Sequence, residues 1–131
     1  MDINSKNSLH MVNAYKKGYR ISNEGYAISY TGKLMKLRIS PSGYYVFNAR
    51  INNILRIIYV HQLQAYQKYG ESVFCCFCVR HIDGNKLDNS IENMGLCTVQ
   101  ANNAKSDMTI EELTEFCKKV LKHQGYIITQ N

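Results

Sequence analysis

The chain has no apolar run approaching the roughly 20 residues that a membrane-spanning helix requires, and no signal-peptide pattern opens it. Both absences point to an intracellular, cytoplasmic protein that makes no use of a membrane. Cysteines number five, at 75, 76, 78, 97 and 117, an odd count unevenly spread, which argues against a secreted disulfide framework. No internal repeat and no low-complexity linker interrupts the 131 residues, so a single domain over 1–131 is expected. An apolar fraction of 45% with 20% charged residues belongs to a globular chain and excludes a disordered one.

Acidic residues are scarce where basic ones are dense. Residues 1–60 carry nine lysines and arginines against only Asp2 and Glu24, an excess of seven. Residues 61–107 are net −1 and residues 108–131 neutral, so the whole +6 lies in the N-terminal half. Such asymmetry is the footprint of a face that binds a polyanion. Lys33, Lys36, Arg38, Arg50 and Arg56 are its candidates.

Segments rich in Tyr, Ile and Val run from 18 to 59, broken by turn chemistry at 23–25, 31–33 and 40–43. They predict an antiparallel sheet of four or five strands. Alternation would put Lys36 and Arg38 on one face, with Leu37 and Ile39 on the other. Residues 1–17 have no clear period and read as a short helix or an arm. From 60 to 70 the period becomes helical, with Val60, Leu63 and Tyr66 on one stripe and Gly70 as its stop. A buried strand over 73–82, an Asp83-Gly84-Asn85 turn, a strand over 93–98 and a helix starting near 99 follow. Thr109 and Glu112 form a capping box, and Ile110, Leu113, Phe116, Cys117, Val120 and Leu121 make one apolar stripe. That pattern predicts a core-packing helix over 109–124. The class is α+β.

Residues 77 to about 107 therefore form a strand–turn–strand–helix unit, whose strand end and helix face can converge. His81 would sit at the strand end, Asn93 at the start of the second strand and Asn102 on the helix. A neutral imidazole can take a proton from water. An amide oxygen can ligate a hard cation, and a second amide can brace the loop or the imidazole. One base, one metal and one brace suffice to hydrolyse a phosphodiester.

VRHIDGNKLDNSIENMGLCTVQANNAK (79–105) resembles the HNH, or ββα-metal, endonuclease motif, most like that of phage and intron-encoded nicking and homing enzymes. The family's histidine falls on His81, its middle asparagine on Asn93 and its helix position on Asn102, with Asn103 adjacent to it. YRISNEGYAIS (19–29) and YVHQLQAYQKYG (59–70) are similar, more weakly, to the sheet and helix that precede the motif. The resemblance implies a basic sheet (18–59) on double-stranded DNA, an HNH unit over 60–107, and Mg²⁺ or Mn²⁺ as cofactor. It implies His81 as base, Asn93 as loop brace and Asn102 as metal ligand. One departure stands before the histidine, where several relatives carry an aspartate or asparagine that helps bind metal. Here it is Arg80, which has no acceptor and would instead grip phosphate. A substitute ligand would come from Asp83, Asn103 or the DNA.

Other signals are blander. Cys75 and Cys78 form one C-x-x-C pair without a second, so structural zinc is not expected. His61 reads as packing or orienting the 60–69 helix. Tyr26, Tyr30 and Tyr44 could face a nucleic acid backbone. The expected activity is nicking of duplex DNA by a monomer, with a phage or viral source suspected. Two other classes stay open: a DNA-binding protein on the same fold that has lost cleavage, and a protein-interaction module with a basic face.

Overall fold

Residues 5–74 and 77–98 are described in the computed structural model of the chain. The predicted helices near 99 and over 109–124, with Asn102 and Asn103, lie outside the described residues, as do Cys75, Cys76 and Cys117.

The aperiodic N-terminal stretch forms a helix, α1 (Lys6–Lys17). Ser5 caps it by accepting the Ser8 amide at 3.1 Å, and Gly18 ends it in the left-handed conformation, its amide bonding back to Ala14 and Tyr15. The Tyr/Ile/Val-rich region then folds as two small sheets instead of one. β1 (Arg20–Ile21) pairs with β2 (Ala27–Ile28), and β3 (Arg38–Ile39), β4 (Tyr45–Ile51) and β5 (Ile54–Tyr59) form a separate antiparallel sheet in that order. The predicted strand around Lys36 is reduced to Arg38–Ile39, so Lys36 lies in a connecting segment and strand alternation does not govern it. Asn52 and Asn53, at φ 52° and 63°, close the β4–β5 hairpin with both central residues left-handed, which matches the strand twist.

The second helix, α2 (Val60–Tyr69), starts directly from β5 and runs into a 3-10 turn at Gly70–Phe74. β6 (Phe77–His81) then pairs antiparallel with β7 (Met94–Thr98), His81 opposite Met94. Strands and helices together make an α+β fold. Among the described residues no helix is long and apolar enough to cross a membrane.

The core gathers Met11 and Ala14 of α1, Phe47 and Ala49 of β4, Ile58 of β5, Val60 and Leu63 of α2, and Leu96 of β7. Phe47 is wholly buried, its ring 6.0 Å from that of Tyr19. Polar side chains of α2 do equally definite work. Gln67 accepts the Ile21 amide at 2.7 Å and donates to the Ile21 carbonyl at 2.8 Å, completing the edge of β1. Gln64, with no exposed surface, donates to the carbonyls of Ser22 at 2.7 Å and Asn89 at 3.0 Å. Lys68 donates to the Ile91 and Met94 carbonyls at 2.9 and 2.8 Å. Helix α2 thus ties the first hairpin to the loop that leaves β6.

Truncating the core at its largest wholly buried side chain tests this packing. Phe47→Ala is expected to cost about 3–5 kcal/mol in urea unfolding, the sum of lost burial and the cavity left behind. A loss below about 1 kcal/mol would mean that Phe47 does not hold the sheet to the helices.

Candidate active site

The segment between β6 and β7 is polar yet tightly bonded. Asp83 Oδ1 accepts the Asn85 amide at 2.8 Å, Asn85 Oδ1 accepts the Leu87 amide at 3.1 Å, and Asp88 Oδ1 accepts the Ser90 amide at 3.1 Å. Three successive side chains thereby mimic backbone turns, the use to which Asp and Asn are best suited. Gly84, at φ 80°, supplies the left-handed residue next to them.

Asn93 closes this loop from the far end. Its Oδ1 accepts the Asp83 amide at 3.0 Å, and its Nδ2 donates to Asp83 Oδ1 at 2.9 Å and to the Asp88 carbonyl at 2.8 Å. The backbone adds a bond from the Ile82 amide to the Asn93 carbonyl at 2.9 Å. Asn93 is buried, so water competes poorly for these bonds. The Asn85 amide first, then the Asn93 amide group, hold the exposed Asp83 carboxyl below the usual carboxylate range. Asp83 is therefore an ionised oxygen donor at neutral pH, chemically suited to a hard cation. Among the described residues no three His, Cys, Asp or Glu side chains gather as a metal-holding group.

His81, half-buried, stands at the end of β6 with Nε2 2.7 Å from Asn89 Oδ1. Two aromatic rings bound it. Tyr44 lies nearly parallel, with ring centroids 6.1 Å apart, and His61 is tilted with centroids 5.5 Å apart. Tyr44 in turn stacks on His61 at 4.4 Å, and Lys86 Nζ sits 5.1 Å from the Tyr44 ring centre. His61 is 7% exposed, and its Nδ1 finds no partner among the described residues. Burial, and secondarily the neighbouring His81, push its pKa down to about 3. An imidazole that stays neutral beside His81 adds no repelling charge to the site at working pH.

Of the residues singled out in the sequence, His81, Asp83 and Asn93 come together in one loop. Arg80 lies on the same strand opposite Gly95, where alternation directs it to the other face from His81, and its Nη2 approaches the Ile82 carbonyl at 3.4 Å. Asn102 lies outside the described residues. The basic candidates are dispersed. Arg38 and Arg50 share the outer face of the three-stranded sheet, where Arg38 donates to Asn48 Oδ1 at 3.0 Å. Arg56 sits opposite Ala49, on the face that packs against α1. Lys33 and Lys36 are exposed in the segment joining the two sheets. Sequence reasoning missed Asn89, His61, Tyr44 and Gln64 as neighbours of the site. Asn89 was visible only as one of several asparagines around the turn, His61 was read as packing the helix and Tyr44 as facing nucleic acid, whereas Tyr44 stacks on His61 beside His81.

Residues 58–104 match the family model described as HNH endonuclease. Over 98 residues the chain is 35% identical to an uncharacterized HNH endonuclease of Acanthamoeba polyphaga mimivirus, a stretch covering 74% of this chain and 29% of that protein. It is similar in structure to the HNH homing endonuclease I-HmuI, solved for its DNA binding and cleavage, with a TM-score of 0.53 and 26% identity. That likeness covers 76% of this chain and 60% of the homing enzyme, so the chain spans less than two thirds of either relative.

The buried imidazole sets a pH dependence. His61 is neutral when folded and protonates in the ordinary histidine range when unfolded, so the folded chain binds fewer protons. Its contribution to stability is complete above about pH 6.5 and is lost as pH falls towards about 3, at up to about 1.4 kcal/mol per pH unit. His61→Phe, which keeps a ring against Tyr44, should flatten urea-unfolding stability between about pH 6.5 and 4.5. Parallel profiles for the two proteins would show that His61 is not held neutral.

Proposed function

We propose, from the match of residues 58–104 to the HNH endonuclease model and the likeness to the mimivirus and homing endonucleases, that the chain is an HNH endonuclease that hydrolyses phosphodiester bonds in double-stranded DNA, with His81 as general base. The observation that carries the proposal is the arrangement of the 81–93 loop, in which Asn93 pins Asp83 and Asp88 while His81 stands half-buried between Tyr44 and Asn89. Such order in a polar loop is what a base needs if it is to meet a water and a phosphorus in one geometry.

In this reading His81 takes a proton from water as the oxygen attacks phosphorus. The bond from phosphorus to the 3′ oxygen breaks, leaving a 5′ phosphate, and the departing oxygen gains a proton to become a 3′ hydroxyl. A divalent cation, Mg²⁺ or Mn²⁺, is proposed as cofactor, with the Asp83 carboxylate and the Asn102 amide as its protein ligands. When bound, such an ion stabilises negative charge on the phosphate and the leaving oxygen. Asn93 keeps the loop in shape, whereas Arg80, directed to the other face of the strand from His81, is not proposed to touch the phosphate that His81 serves. Arg38 and Arg50, on the outer sheet face, supply salt-sensitive contacts to the DNA backbone. Nicking by a monomer is the proposed mode.

Relaxation of a supercoiled plasmid tests this. Nicking is expected with Mg²⁺ or Mn²⁺, abolished by chelator and reduced about 100-fold or more in His81→Ala. Nicking unchanged in that variant would remove His81 from the chemistry. Salt-sensitive DNA binding with no metal-dependent nicking would identify a DNA-binding protein that has lost cleavage.

A further inference from the structure

The contact between His81 and Asn89 has a geometry that decides which imidazole nitrogen is basic. We propose that Asn89 is a positioning residue for His81, holding the ring as the Nε2–H tautomer and turning Nδ1 towards the reacting water. The proposal rests on His81 being the base, and it adds how that base is aimed.

An amide oxygen only accepts hydrogen bonds, so at 2.7 Å from Asn89 Oδ1 the Nε2 atom of His81 carries the proton. The lone pair is then on Nδ1. Asn89 is 2% exposed, so solvent does not displace this bond. Tyr44 and His61 lie against His81 at 6.1 and 5.5 Å between ring centres and oppose tilting of the ring, while the bond to Asn89 opposes its flip.

Asn89 is itself held from two directions. Its carbonyl accepts Gln64 Nε2 at 3.0 Å, from α2. On the other side the β1–β2 hairpin touches its backbone. A Cβ added to Gly25 would come within 2.9 Å of the Asn89 carbonyl carbon and 3.1 Å of its oxygen. Gly25 is also left-handed, at φ 103°. Two residues on, the Ile91 amide donates to the Asn23 carbonyl at 2.9 Å. The β1–β2 hairpin thereby backs the residue that holds the base.

The test uses the full chain labelled with ¹⁵N, in mildly alkaline buffer where an ordinary histidine is neutral. Wild type should show His81 protonated at Nε2, with an N–H proton protected from solvent exchange. Asn89→Leu, of similar volume but without an acceptor, should lose that protection, and Asn89→Asp, which keeps an oxygen there, should retain it. In the nicking assay the Leu variant should fall roughly 10-fold to 100-fold in kcat with the KM for DNA unchanged, and the Asp variant should recover most of the rate. A wild-type ring protonated at Nδ1, or a Leu variant that keeps a protected Nε2–H, would overturn the proposal. The spectra decide this even for a protein that does not cut DNA, so failure of the nuclease reading is distinguishable from failure of the positioning role.

Discussion

The backbone of Asn89, the residue that meets His81, is held by a glutamine amide that has no access to water. Gln64 Nε2 donates to the Ser22 carbonyl in the first hairpin and the Asn89 carbonyl in the loop after β6, while its Oε1 accepts from Gln67. Two segments separated by more than sixty residues in the chain are thus fixed against one helix. A buried polar group satisfied in this way contributes only about 1 kcal/mol per bond in net terms, yet leaving its partners bare costs about 1–3 kcal/mol each. The geometry is therefore specified more strongly than it is stabilised. Lys68 and Gln67 repeat the device along α2, at β7 and at β1. The apolar core holds the helix to the sheets, and the amides decide where the loop lies.

The loop itself illustrates how a polar segment becomes rigid without a core. Its side chains take over the bonds that a strand or helix would give the backbone, through Asp83, Asn85 and Asp88 in succession. Asn93 then joins both ends with its own amide. The result places a half-buried imidazole beside an ionised carboxylate and a neutral second imidazole. Under the proposed function these are the groups that would hydrolyse a phosphodiester, and the bonds within the loop hold them in place.

Much of the fold was legible in the sequence where periodicity carries it. The helix from Val60 and its stop at Gly70 follow from apolar spacing and turn residues. Among the described residues, the strands expected over 73–82 and 93–98 form only over Phe77–His81 and Met94–Thr98, because Gly70–Phe74 and Ile91–Asn93 turn as 3-10 helices. The single sheet expected over 18–59 splits because the segment between Tyr30 and Leu37 makes only one isolated bridge, Ile28 to Leu34, and no continuous ladder. In the site, His81 and Asn93 were legible from the ordered spacing of a turn. Asn89 and Gln64 were not, because a residue that bonds across long sequence separation looks like any polar residue on a turn or a helix face. Arg56 shows the same limit for charge: the sequence counts it with the basic face, and the strand register puts it on the side of α1.

Cleavage of an end-labelled DNA duplex at matched protein occupancy tests the central claim most directly, because it separates chemistry from binding. The account predicts 5′-phosphate and 3′-hydroxyl ends from the wild-type protein, and intact duplex, equally well bound, from His81→Ala. Ends of the same kind and amount from both proteins would contradict it.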